Sequence, residues 1–104
     1  MRTFHHFGIP SSQQHDDETY LADSKLHITD AGKSPNKVEW LRFEPGSSMP
    51  QMLKDLPHIA YQVDDLAAEL EGKDVLMEPF SPMEGVTVAF VIEEGVPIEL
   101  MQMD

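Results

Sequence analysis

The chain has 104 residues, and its 19 aspartates and glutamates against 7 lysines and arginines give a formal net charge of −12. This charge repels phosphate backbones and anionic lipid, and the lack of a basic cluster argues against nucleic-acid binding. The chain has no cysteine, which excludes a disulfide framework and a thiolate zinc site. No apolar run approaches the ~20 residues that span a bilayer, and the N-terminus lacks the apolar core of a signal peptide, so we expect a cytoplasmic protein.

A chain of this length predicts one domain with a small core. Apolar residues make up 40% of it, and domains of this size are only marginally stable. A second copy that covered a strand edge or an apolar face would add stability, so we expect a homodimer. The other expected partner is a small-molecule substrate, with no nucleic acid and no membrane.

Strand-like segments follow one another along most of the chain. They are apolar and β-branched runs that stop at glycine, proline or aspartate positions. The last two are separated by Glu93-Glu94-Gly95, which predicts a tight hairpin turn. The predicted strands cover residues 1–9, 25–29, 37–43, 57–63, 74–77, 86–92 and 96–103.

One helix is predicted, over about residues 65–71. Asp64 or Asp65 can accept the first free backbone N–H groups, and two leucines four residues apart lie on one face. Gly72 can adopt the positive φ that ends a helix. The sequence therefore predicts a short helix that packs on the sheet through its leucines.

The two halves of the chain repeat one pattern. His6 and His58 each stand in an opening strand and are followed by an apolar and then a small residue. Glu39 and Glu99 each stand in a later, otherwise largely apolar strand. Each half therefore opens with a histidine strand and closes with a glutamate strand.

The first half has only the polar stretch 11–18 where the second half has its helix. This stretch predicts a loop or a single helical turn. We therefore interpret the chain as a single domain of two modules, about 1–45 and about 57–104, joined by a connector at 46–56. The first module has lost most of its helix.

The four repeated polar residues have apolar or small neighbours on their strand faces, because a strand alternates faces with period two. Buried carboxylates and imidazoles need partners, and one metal ion satisfies all four together. Two nitrogens and two oxygens suit a divalent transition ion such as Ni, Zn, Mn, Co or Fe. His5 stays an alternative to His6 as a ligand, although strand alternation points it to the other face, at the surface.

Four segments carry a family resemblance: His6-Phe7-Gly8-Ile9, Val38-Glu39-Trp40-Leu41, the run from Pro57 to Leu66, and Val88 to Ile92 followed by Pro97-Ile98-Glu99-Leu100. This pattern resembles the vicinal oxygen chelate superfamily, which includes glyoxalase I, bleomycin-resistance proteins, methylmalonyl-CoA epimerase and extradiol dioxygenases. The resemblance implies an α+β fold of two βαβββ modules that form a partly open curled sheet, with the first helix shortened or missing. By position it implies that His6, Glu39, His58 and Glu99 are the metal ligands.

The resemblance implies a glyoxalase-like metal-dependent isomerase or lyase that acts on a small carbonyl or vicinal-oxygen metabolite by enolate stabilisation. Glu99 or Glu39 would serve as the catalytic base. Two alternatives stay open. One is a metal-free small-molecule binding protein of the antibiotic-sequestering type, and the other is an Fe(II) extradiol-type dioxygenase, which uses two histidines and one carboxylate.

Substrate contacts are expected from side chains around the four ligand positions. Arg2 has the strand parity of His6 and could hold a substrate carboxylate. Tyr61, Gln62 and Phe90 are the other predicted substrate-binding residues. The sequence does not identify the substrate.

Overall fold

One curled sheet of eight strands runs through the protein. The computed structural model describes residues 1–104. Two five-residue helices lie against the sheet, and neither has the length and apolar character needed to cross a membrane. The elements are β1 (Thr3–Pro10), β2 (Thr19–Leu21), β3 (Leu26–Ile28), β4 (Val38–Phe43), α1 (Gln51–Asp55), β5 (His58–Gln62), α2 (Leu66–Leu70), β6 (Val75–Met83), β7 (Val86–Glu93) and β8 (Val96–Met103).

The strand order consists of two copies of one module placed side by side. It runs β2-β3-β4-β1-β5-β8-β7-β6. β1 pairs in parallel with β4, as β5 does with β8, and the remaining strands of each module follow as antiparallel neighbours. β1 and β5 pair antiparallel at the centre. The two modules therefore join within a single chain, which the sequence left open.

The local signals of the second module act as predicted. The Asp65 carboxylate accepts a hydrogen bond from the Ala68 backbone N–H at the start of α2, and Gly72 follows its end at φ +71°. Between β7 and β8, Glu94 and Gly95 have φ of 55° and 74°. Positive φ at both central positions is what a two-residue hairpin favours, because it matches the twist of the flanking strands.

The first module has no α-helix, in agreement with the predicted shortened or missing helix, and a stacked ring pair lies at the corresponding place. Residues 11–18 form a loop, from which the His15 ring lies on Trp40 with centroids 5.1 Å apart and planes at 12°. Trp40 follows Glu39 just as Leu100 follows Glu99, and Leu100 belongs to the core beneath α2. The His15 ring thus covers Trp40 in the first module, whereas α2 covers the corresponding Leu100 in the second.

Two elements of the structure were not predicted, and one strand is longer than predicted. The connector contains α1, whose Leu53 is buried against the sheet. β2, a strand of three residues, was not predicted, and β6 continues to Met83 rather than ending at residue 77. The buried Leu53, with the partly buried Met49, gives the connector an apolar anchor that its prolines and serines conceal in the sequence.

The core lies in two layers on the two faces of the second module. One layer, beneath α2, comprises Val63, Leu66, Ala89, Val91, Ile98 and Leu100. The other, on the face opposite α2, comprises Leu53, Ala60, Val88, Phe90 and Met101. Since β7 contributes to both layers in alternation, the second module supplies most of the apolar burial.

A β-bulge in β1 changes which side chains share a face. Phe4 pairs with Tyr61 but His6 pairs with Ala60, so the strand contains one extra residue between them. The bulge brings Phe4 and Phe7 together on the outer face, with ring centroids 4.8 Å apart. It also reverses the face of Arg2 relative to His6.

The expected homodimer stays a prediction. The two free edges are β2, which has three residues, and β6, which contains Pro79 and Pro82 and several register shifts. Short, proline-containing and bulged edges resist pairing with another chain. The free strand edges therefore offer a second copy little opportunity to pair. The exposed Phe4 and Phe7 rings on the outer face offer it an apolar surface instead.

The two modules approach each other closely at Gly8, whose backbone lies opposite His58. A Cβ at this position would lie 2.1 to 2.7 Å from atoms of the His58 ring. Such distances are shorter than any van der Waals contact, so the two modules can meet here only if one of them offers a bare backbone.

We therefore expect Gly8→Ala to destabilise the protein by about 1–3 kcal/mol, as overpacking of a core does. Urea unfolding followed by circular dichroism measures the change. Gly32→Ala is the matched control, because Gly32 is exposed and a Cβ there would lie 3.1 Å from one oxygen of Asp30 and near no ring or backbone atom, and it should shift stability by less than about 0.5 kcal/mol. Equal effects of the two substitutions would contradict the contact.

Candidate metal centre

Four polar side chains from the four central strands meet on the inner face of the sheet, the face opposite α2. His6 comes from β1, Glu39 from β4, His58 from β5 and Glu99 from β8. The strand register places Gly8 beside both Glu39 and His58, and Ala60 beside His6 and Glu99. Each module thus supplies one histidine and one glutamate, in adjacent strands.

The donor atoms of three of these side chains, His6, Glu39 and His58, lie within reach of a common centre, and Glu99 contacts both histidines. His58 Nε2 lies 3.0 Å from Glu99 Oε1. His6 Nε2 lies 3.6 Å from Glu39 Oε1 and 3.6 Å from Glu99 Oε1. Donor atoms of His6, Glu39 and His58 all lie within 4.8 Å of one another. The repeat therefore identified residues that the fold brings together.

Burial of these polar side chains destabilises the fold unless a partner satisfies their ring nitrogens and carboxylate oxygens. His6, His58 and Glu99 are 3%, 2% and 8% exposed. His6 Nε2 and His58 Nδ1 have no hydrogen-bond partner, and a buried polar atom of this kind costs free energy. Two imidazoles and two carboxylates at these separations form a donor set that fits a divalent transition ion.

The carboxylates control the protonation of the cluster. Burial by itself would lower the pKa of His6, but the adjacent Glu39 and Glu99 carboxylates outweigh it and raise this pKa to about 9. Burial would likewise raise the pKa of Glu99, whereas His58 and His6 hold it well below its usual range. At neutral pH the metal-free cluster therefore holds a protonated His6 beside the ionised Glu99 carboxylate.

His5 belongs to the same site, which the sequence prediction of a surface position got wrong. Its Nδ1 lies 2.8 Å from His6 Nδ1, and its ring lines the cavity above the cluster. Burial and the neighbouring His6 charge lower the pKa of His5, so it suits the neutral acceptor of an N–H from His6. Phe4 and Phe7 are three residues apart, and a regular strand places such residues on opposite faces. Their pairing on one face therefore requires the bulge.

A cavity of about 570 Å³ opens over the four side chains. Its walls are mainly aliphatic, aromatic and thioether groups from both modules and from α1. Phe90 lies in the wall, as predicted, with its ring edge-on to His58 at a centroid distance of 5.2 Å. The apolar wall residues are Leu21, Leu26, Ile28, Ala31, Leu41, Phe43, Met49, Leu53, Phe80, Pro82, Met83, Val86, Val88, Phe90, Met101 and Met103.

Three predicted substrate-binding residues do not line this cavity. Arg2 lies on the outer face, where its guanidinium donates two hydrogen bonds to Glu93 and one to Glu69 and lies 5.6 Å from the centre of the Tyr61 ring. The bulge is the reason, because it turns Arg2 away from His6. Tyr61 shares the outer face, and Gln62 is exposed at the end of β5.

Comparison with solved structures finds this fold in other proteins. A hypothetical protein from Bacillus halodurans C-125 superposes with a TM-score of 0.71 at 17% identity, over 99% of this chain and 95% of its own. Methylmalonyl-CoA epimerase from Mycobacterium tuberculosis superposes with a TM-score of 0.64 at 16% identity, over 98% and 88%. No family model and no curated protein sequence matches the chain. The chain therefore shares the fold of these two proteins, which confirms the predicted α+β fold of two modules that form a partly open curled sheet.

Proposed function

We propose that the protein is a metal-dependent isomerase or lyase of the glyoxalase type that acts on a small oxygenated metabolite. The observation that supports this is the convergence of two buried imidazoles and two carboxylates beneath an apolar cavity. The Mycobacterium tuberculosis protein with the same fold is an epimerase, and epimerisation likewise moves a proton at a carbon next to a carbonyl. This agreement supports the reaction class and leaves the substrate open.

The Nε2 atoms of His6 and His58 and one oxygen each of Glu39 and Glu99 would hold the ion. A divalent ion bound there would act as a Lewis acid on a substrate oxygen and increase the acidity of the adjacent C–H group. The donor set would leave the ion without net charge, because the two carboxylates balance it. The apolar wall would keep water away from the reacting carbon.

Glu39 is better placed than Glu99 to act as the base, a choice that the sequence left open. Glu99 is held by His58 at 3.0 Å and by His6 at 3.6 Å. Glu39 has one ion-pair contact, at 3.6 Å to His6, and its side chain is 19% exposed against 11% for Glu99. Glu39 can therefore take a proton from a substrate carbon and return it, while Glu99 stays in place.

The two alternatives from the sequence differ from this proposal in what they need from Glu39. An extradiol-type oxygenase uses two histidines and one carboxylate, whereas His6 Nε2 here lies 3.6 Å from a carboxylate oxygen of both Glu39 and Glu99. A metal-free binding protein would use the cavity and have no need of the carboxylate. Metal binding and the effect of Glu39 on proton transfer thus separate the three functions.

We expect protein stripped with a chelator to bind one Ni, Co, Mn or Zn ion per chain. Isothermal titration calorimetry should show this, and a free ion concentration 100-fold above Kd should add about 2.7 kcal/mol to the free energy of unfolding. Glu39→Gln should weaken binding at least about tenfold. Glu44→Gln is the matched control, because Glu44 faces His27 at 3.3 Å outside the cavity. The proposal fails if no ion binds and none stabilises the fold.

The metal-free protein should lose stability as the pH rises from 6.5 to 9. The pKa of His6 is about 9 in the folded chain against 6.5 as its ordinary value, so its contribution is complete below pH 6.5 and disappears through pH 9. The loss should be on the order of 3 kcal/mol. Urea unfolding at pH 6, 7.5 and 9 with a chelator present measures it. His6→Gln should abolish most of the slope and His27→Gln should keep it; a flat profile in the unaltered protein would refute the assignment.

The proton-transfer step can be followed with 2-hydroxyacetophenone, which has vicinal oxygens and an enolisable CH₂ group. In D₂O the metal-loaded protein should exchange these hydrogens, and ¹H NMR should record the loss of their signal. Glu39→Gln at saturating metal should slow the exchange by about 10²-fold or more, as loss of a general base does, while Glu44→Gln should not. Unchanged exchange in the Glu39 variant would exclude Glu39 as the base, and turnover that requires Fe(II) and O₂ would favour the oxygenase.

A further inference from the structure

We propose that the cavity selects ligands with an apolar body and a single neutral or singly charged chelating head, and rejects ligands that carry a further anionic group. Only the chelating head of this ligand class rests on the proposed function, because it requires the bound metal. The rest of the ligand is inferred from the distribution of charge around the cavity.

The cavity wall has no lysine and no arginine among its residues. Several cations of the chain are engaged elsewhere. Arg2 is paired with Glu69 and Glu93 on the outer face, and Arg42 is paired with Glu18. Lys54 donates to the Ser47 carbonyl oxygen. A carboxylate or phosphate on the ligand body would find no cationic partner in the wall.

The cluster itself offers no surplus positive charge. A divalent ion held by Glu39 and Glu99 would be neutral overall, since His6 and His58 bind as neutral ligands. Asp30, at the wall of the cavity, and the net charge of −12 add a negative field. The polar wall residues Thr19, Ser24 and Thr29 carry no charge, so a second anionic group would lose water without gaining an ion-pair partner, which is unfavourable.

The apolar walls define the favourable part of the ligand. The volume of about 570 Å³ falls within the range of small-molecule pockets. Phe80 and Phe90 offer ring surfaces, and Met101 and Met103 offer thioethers that adapt to an irregular or aromatic body. The ligand class is therefore a compact, hydrophobic molecule with vicinal oxygens at one end.

Three hydroxamates test this selection on the Zn-loaded full chain. Acetohydroxamate is a chelating head alone, benzohydroxamate adds an apolar ring, and 4-carboxybenzohydroxamate adds an anion to that ring. Calorimetry should show that benzohydroxamate binds at least tenfold tighter than acetohydroxamate. It should also show that 4-carboxybenzohydroxamate binds at least tenfold more weakly than benzohydroxamate. Equal affinities, or a carboxylated probe that binds as tightly as benzohydroxamate, would overturn the proposal.

A charge placed in the wall supplies a gain-of-binding test. Met83 is half exposed at the cavity, so Met83→Arg should raise the affinity for 4-carboxybenzohydroxamate at least tenfold and leave the Zn affinity unchanged. Gln14→Arg adds the same charge on an exposed loop outside the cavity and should change neither. If both variants act equally, the effect is one of overall charge and the proposed wall is wrong.

The metal-free chain separates this inference from the proposed function. If no metal binds, the proposed function fails, and the wall is then tested by NMR titration with acetophenone and 4-acetylbenzoate. Acetophenone should shift the signals of Phe80 and Phe90, and 4-acetylbenzoate should bind at least tenfold more weakly. Equal binding of the two ketones would overturn the charge selection on its own.

Discussion

The antiparallel contact between β1 and β5 is the interaction on which the candidate site depends. It joins the two modules, places the bare Gly8 backbone against the His58 ring, and sets β4 and β8 on either side. Each of these four strands contributes one donor to the cluster. His58 meets Glu99 within the second module, but His6 lies between Glu39 and Glu99 from both.

The division of labour between the modules is unequal. The second contributes most residues of both apolar layers and contains the helix α2, whereas the first relies on Trp40 and the His15 ring for its outer cover. The donors nevertheless come equally from the two. An ion bound by His6 and Glu39 as well as by His58 and Glu99 would therefore tie the weakly cored half to the strongly cored one, and local opening of the first module would be coupled to release of the ion.

The sequence predicted the features that short-range chemistry controls. Asp65 and Gly72 delimit a helix because each satisfies a local backbone requirement, and the histidine and glutamate positions could be found because the two halves of the chain repeat one pattern. It did not predict the bulge in β1, since an extra residue in a strand depends on the partner strand. Arg2 was therefore assigned to the wrong face and His5 to the surface. The connector helix was also missed, because burial of Leu53 is a tertiary contact that proline and serine content hides.

The bulge has a consequence for how this protein tolerates changes in length. If His5 is left out of the count, Phe4, His6, Phe7 and Gly8 alternate as in a regular strand, with both phenylalanines outside and His6 and Gly8 inside. His5 is thus the extra residue of the bulge, and its deletion would preserve the face of every neighbour, whereas deletion of Phe7 would turn either His6 or Gly8 outward. The bulge therefore gives the cavity a second imidazole without changing the face of the first.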